Sequence, residues 1–187
     1  MTCADSLPPA RRWGPFEPLR ERTFRRIWST SLLSNFGQLI LGVGAAWEMT
    51  RLTTSTEMVA LVQSAMMLPL MLVSVPGGAI ADMFDRRRIA MTGLGFATLC
   101  AATLTALSWF GLTSPWLLLA FCSLIGAGVA LYGPAWQASV SEQVRPDQLP
   151  AAIALGSISY NIARSFGPAL GGMIVLAAGT TAAFGIN

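Results

Sequence analysis

The 187-residue chain contains no histidine and no lysine, and all twelve of its basic residues are arginine. Charged residues make up only 11% of it, against about a quarter in soluble domains. No imidazole is available as a general base, so a Ser/His/Asp hydrolase is excluded. No metal-ligand spacing and no phosphate-binding glycine loop stands in its place, which argues against an enzyme and implies no cofactor and no metal. Cys3, Cys100 and Cys122 are scattered, without the paired spacing of a disulfide framework, a zinc site or a thiol nucleophile. The net charge of +3 comes without a basic, groove-reading face, so nucleic acid is not an expected partner. What the chain has in quantity is apolar surface: 53% hydrophobic residues and a mean hydropathy of +0.58.

Two apolar stretches, 58–81 and 89–110, flank the segment 77–88, Gly-Gly-Ala-Ile-Ala-Asp-Met-Phe-Asp-Arg-Arg-Arg. Each stretch reaches the roughly 20 residues that a helix needs to cross a hydrocarbon core. The charged link is expected to be a tight turn at a membrane surface, and Arg86, Arg87 and Arg88 assign that surface to the cytoplasm. The same pattern, extended along the chain, predicts helices near 28–49, 57–81, 89–110, 115–136 and 149–178. A polar tail covers 1–23, the transmembrane bundle 24–187, and a stub of a sixth helix 182–187. Trp28 and Trp47 stand about one bilayer core apart on the first helix, roughly 28 Å, as interfacial tryptophans do. Ten arginines fall ahead of the first span, in 86–88 and at Arg145, so the N-terminus is expected in the cytoplasm of an inner (plasma) membrane protein.

Two motifs carry a resemblance. Gly78-Ala79-Ile80-Ala81-Asp82, followed by Arg86 and Arg87, resembles the loop 2–3 signature of the major facilitator superfamily. The ending Phe84-Asp85-Arg86-Arg87-Arg88 is similar to the branch containing enterobactin exporters and related transmembrane secretion effectors. Met83 and Asp85 depart from the signature, which usually has a basic residue and a glycine there. Gly167-Pro168-Ala169-Leu170-Gly171-Gly172 resembles the fifth-helix signature of exporters and antiporters, with Ala154 and Ala163 where further glycines are usual. Cys122, ahead of Gly126-Ala127-Gly128, stands where many proton-driven exporters carry arginine.

The resemblance implies an all-α polytopic bundle: five transmembrane helices and the start of a sixth, the N-terminal half of a twelve-helix secondary transporter. It implies export of a siderophore- or drug-like small molecule by alternating access, with this fragment unable to transport alone. The alternative is a non-transporting remnant, or an interaction partner of another transporter half. Expected partners are the lipid bilayer, a substrate that an arginine suits if it is anionic, and the missing C-terminal half. By resemblance, Gly78, Asp82, Arg86 and Arg87 form a cytoplasmic gate, and Gly167, Pro168, Gly171 and Gly172 pack helix 5 against a helix of the other half.

Arg164 is the costliest residue of the apolar runs, about 3 kcal/mol at mid-membrane even on a lenient scale. It should face a cavity or pair with an anion, either a substrate group or a structural partner. Asn161, one turn away, and Asn35 and Gln38 on helix 1 are the polar neighbours proposed beside it for substrate binding. Glu48, near the far end of helix 1, reads as interfacial.

Overall fold

The computed structural model describes residues 16–83 and 86–187, with side chains outside 74–87, 134–139 and 141–143. Five long helices make up nearly all of it: α1 (Arg22–Leu52), α2 (Thr56–Met83), α3 (Arg86–Trp109), α4 (Pro115–Gln143) and α5 (Leu149–Ile186). Short 3-10 segments, Glu17–Arg20 and Pro146–Gln148, lead into α1 and α5. No strand occurs among the described residues, and the chain is an all-α membrane bundle. In lipid a backbone must satisfy its own hydrogen bonds, which a helix does within one segment.

Among the described residues, four stretches are long and apolar enough to cross a membrane: Thr56–Val73, Arg88–Trp109, Pro115–Gly133 and Pro146–Ile186. α1, at 31 residues, is long enough, but Ser29, Thr30, Ser31, Ser34, Asn35 and Gln38 dilute its apolar character. Five apolar spans were expected from sequence, so α1 is the exception.

Local signals set the helix ends. At the end of α3, Gly111 has φ 67°. Leu112 N–H reaches Leu107 C=O at 2.9 Å and Gly111 N–H reaches Ser108 C=O at 3.2 Å. This paired pattern with a left-handed glycine closes a helix by satisfying its last carbonyls. Three residues on, Ser114 caps α4, its hydroxyl accepting from Leu117 N–H at 3.4 Å, with Pro115 in the first turn. The link expected across 77–88 is shorter than the sequence suggested. α2 runs to Met83 and α3 starts at Arg86, since neither glycine nor proline interrupts 79–88.

α1 packs chiefly on α5, while α4 lies between α2 and α3. α1 and α5 run parallel, because Trp28 meets Leu155, Asn35 meets Ser159, and Glu48 meets Thr180. We call the end with the α1 start and the α4–α5 link the tail end. The opposite end, with the α3–α4 turn, is the hairpin end. The larger apolar core sits toward the hairpin end, around Leu41, Met49, Leu104, Leu118, Cys122, Ile125 and Phe184. A smaller one, Phe24, Val140, Val144, Ala152 and Leu155, closes the tail end.

α5 is two helices joined at Gly179, whose φ 80° and ψ 174° are non-helical and open essentially to glycine alone. The chain reverses there. Residues 180–186 run back along α1, bringing Ala183 and Phe184 against Gly44, and Asn187 against Gly37. The stub expected at 182–187 thus starts about two residues earlier, at the glycine.

Candidate functional site

Ser29 and Thr30 of α1 are exposed and donate to Arg26 C=O on their own helix, whereas Ser31, Ser34, Asn35 and Gln38 are half-buried and face other helices. Trp28, Ser31, Ser34 and Asn35 line a cavity of about 70 Å³ with Tyr132 of α4 and Gly156 and Ser159 of α5. It lies between the two apolar cores. Serine and asparagine on one helix stripe, met by small residues of α5, leave both a gap and hydrogen-bonding groups within it. Trp28 Nε1 donates to Leu155 C=O at 2.8 Å, and Asn35 Nδ2 donates to Ser159 Oγ at 3.3 Å. Ser31 Oγ lies 3.4 Å from the Tyr132 hydroxyl. The lining carries hydroxyls, an amide and aromatic edges, and no formal charge. Such a wall recognises hydrogen-bonding groups rather than a bare ion.

The four residues proposed from sequence as substrate ligands are separated by the fold. Asn35 lines this cavity. Gln38 lies on a second cavity, of about 50 Å³, between α1, α2 and α4, among Met66, Met67, Leu70, Ile125 and Val129. Asn161 is exposed and donates to Ser157 C=O on its own helix at 2.8 Å. Arg164 is exposed and has no ion pair or hydrogen bond among the described residues. It lines neither cavity. The separation follows from helical spacing: Ala152, Leu155, Ser159, Ala163, Gly167, Gly171 and Val175 are the buried stripe of α5, and residues 161 and 164 fall off it.

The same stripe changes the reading of the fifth-helix motif. Gly167 and Gly171 were expected to pack against another half, but they face α1. A Cβ on Gly167 would come within 2.9 Å of Leu39 Cβ, and one on Gly171 within 3.1 Å of Val43 Cβ. Gly172 has nothing within 4 Å of its Cβ position, and Pro168 is exposed. Those two remain on the open side of α5. The side chains of Gly78, Asp82, Arg86 and Arg87, the expected gate, lie outside the described residues.

Sequence reasoning missed a cluster at the hairpin end. Glu48 is 7% exposed and accepts a 2.6 Å hydrogen bond from the Thr180 hydroxyl. Arg51 Nη1 is 3.6 Å from the same carboxylate oxygen. The neighbouring Thr181 hydroxyl is 2.9 Å from that of Ser108 on α3. The reversal at Gly179 is therefore tied to α1 on one side and to α3 on the other. The only available signal was Arg51 three residues after Glu48, an ordinary helical pair.

The model of the family described as transmembrane secretion effector matches residues 13–187. The staphyloferrin A transporter of Staphylococcus aureus is 28% identical over 149 residues, 79% of this chain and 38% of that protein. The multidrug efflux pump Tap of Mycobacterium tuberculosis is 26% identical over 175 residues, 84% of this chain and 40% of that protein. YfiS of Bacillus subtilis, an uncharacterized MFS-type transporter, is 28% identical over 128 residues, 68% of this chain and 30% of that protein. The chain thus spans about two fifths or less of the length of these relatives, and no solved structure matches it. The loop 2–3 and fifth-helix motifs, the apolar helices and the family match converge: the chain belongs to the transmembrane secretion effector family of the major facilitator superfamily.

Proposed function

We propose that this bundle is one half of a secondary transporter that exports a small, siderophore- or drug-like molecule by alternating access. One observation carries the reading beyond the family: Arg164, midway along α5, is exposed and has no ion pair or hydrogen bond among the described residues. A guanidinium cannot be left facing lipid at that depth without a cost of about 3 kcal/mol or more. The open side of α5 therefore requires a polar neighbour, and a second bundle enclosing a watered cavity supplies one. Binding at the interface of two such halves, near the bilayer midplane, is how transporters built from repeats work. In this reading Asn35 holds hydrogen-bonding groups of the substrate, and Gln38 and the methionines around it take apolar parts. Arg164 and Asn161 meet an anionic group across the cavity. Gly172 and Pro168 contact the other half, and Gly78, Asp82, Arg86 and Arg87 close the gate. The tail end faces the cytoplasm of a cell membrane because the arginines concentrate there. The chain binds and releases its substrate without chemical change to it.

The test is flux in reconstituted vesicles, comparing this chain with a chain extended to the relatives' full length. The expected outcome is saturable flux from the longer chain only. In it, Ser159→Leu, which fills the α1–α4–α5 cavity, should abolish flux while the protein still inserts. Undiminished flux in that variant would remove the cavity from the mechanism. Saturable flux from the 187-residue chain alone would overturn the half-transporter reading.

A further inference from the structure

We propose that Arg22, Arg25 and Arg26 form a seat for the headgroup of an anionic phospholipid at the tail end of the bundle. The location in the cytoplasmic leaflet rests on the orientation proposed above, whereas the chemistry of the seat does not. The three residues are spaced i, i+3 and i+4 in the first turns of α1, so they share one face. All three are exposed, and none has an ion pair or hydrogen bond through its side chain among the described residues. Of the acids on the adjoining described segment, Glu17 is engaged by Arg20 at 3.5 Å, and Glu21 makes no ion pair among the described residues.

The helix carrying this face is held in place. Phe24 is 1% exposed and packs with Val140, Val144 and Leu155. Trp28, one turn further on, is fixed by its bond to Leu155 C=O. Pro18 is buried as well, which anchors the segment before the helix. Phosphate binding here would not have to order a loose tail first. Depth fits too. Residues 27–47 carry no charge, about the length that crosses a hydrocarbon core, so Arg22, Arg25 and Arg26 stand just outside it. That places the guanidinium forks at the level of the phosphates, which they can bind in bidentate fashion. Lipid, rather than a free anion, is the occupant because the seat lies beside the first span and would be surrounded by headgroups.

The experiment uses the purified chain in detergent and counts retained lipids by native mass spectrometry after mixing with phosphatidylglycerol or phosphatidylcholine. The chain should retain phosphatidylglycerol preferentially. The triple variant R22Q/R25Q/R26Q should lose about a hundredfold of that preference, near fivefold per arginine. R20Q, which removes a cation already paired with Glu17, should lose less than any one of the three. Should the triple variant not fold, R22Q and R26Q singly decide the matter by their own near-fivefold steps. Equal retention of both lipids, or an unchanged preference in the variants, would overturn the proposal. Displacement of phosphatidylglycerol by millimolar inorganic phosphate would also overturn it, by reassigning the seat to free anions. Since no flux is measured, failure here leaves the transporter reading standing, and failure of flux leaves this one standing.

Discussion

Along α1 and α5 the helices are joined by side chains that hydrogen-bond across the gap at three heights, Trp28 to Leu155, Asn35 to Ser159, and Thr180 to Glu48. Around α4 the joints are of another kind. Gly126 lies so close to α2 that a Cβ there would be 2.5 Å from Met66 C=O. Gly93 and Gly128 lie against each other, a Cβ on either falling 2.7 Å from the other's carbonyl oxygen. Small residues serve both regions with opposite consequences. Beside the tail-end half of α1, Gly156 and Ser159 leave a cavity lined by groups that can exchange partners with water or a ligand, although Gly167 and Gly171 close on side chains of the same helix further along. At Gly93, Gly126 and Gly128 small residues remove all clearance, and backbone touching backbone has one arrangement. A bundle that rearranges should do so at the polar seam, with α2, α3 and α4 moving as one body.

The largest effect is expected where that rigid body is broken. Gly128→Leu would drive a side chain into Gly93 C=O and Ala97, at 2.7 and 2.9 Å from the first carbon alone. Backbone on both helices cannot move aside locally, so a loss of about 3 kcal/mol is expected, at the upper end for overpacking. Thermal unfolding in detergent measures it. Gly133→Ala, on the same helix with nothing within 4 Å of its Cβ position, is the control and should be near neutral. Equal effects at the two glycines would erase the distinction between the regions.

A smaller loss is expected at the seam. Thr180→Val removes the donor to a buried carboxylate, and hydrogen bonds to charged groups contribute about 2 kcal/mol. Glu48→Gln should cost a similar amount, and the two together less than their sum, because they share one bond. A double-mutant cycle read by chemical denaturation gives the coupling. Strict additivity would mean that the reversal at Gly179 is held by its glycine backbone and by Thr181 to Ser108, with Glu48 a bystander.

The two regions were unequally legible in the sequence. Hydropathy pointed to the four long apolar helices found among the described residues, because lipid imposes a single requirement on every residue of a span. The gap between 110 and 115 was equally local, and Gly111 and Ser114 close its two ends. Gly126 and Gly128 were noted only for lacking an upstream arginine, since sequence spacing does not say which helix a glycine faces. Gly167 and Gly171 illustrate the same limit. They belong to a buried stripe recurring every three or four residues from Ala152 to Val175, and they face α1, yet the motif alone pointed to a different partner. Glu48 looked interfacial because its buried state depends on Thr180, 132 residues away, and on a chain reversal that a single glycine dictates. Asn35 was legible as polar residue in an apolar run; its cavity was not, being the product of three helices.

Arg164 offers the smallest effect on stability and the sharpest one on function. It has no partner among the described residues, so Arg164→Ala should change the unfolding of the isolated bundle in detergent by less than about 0.5 kcal/mol, as for surface substitutions away from any network. This contrasts with both the glycine and the seam variants. In a chain of the relatives' full length the same substitution should abolish flux of an anionic substrate. Arg164→Lys should restore it only in part, since an ammonium keeps the charge but not the two-pronged geometry. A fully active Arg164→Lys would reduce the role to charge alone. A full-length Arg164→Ala protein that loses its fold, while the isolated bundle keeps it, would make Arg164 a structural tie to the second half. The comparison between bundle and full-length chain is what separates the two roles, because a guanidinium unpaired in one bundle can acquire a partner only from outside it.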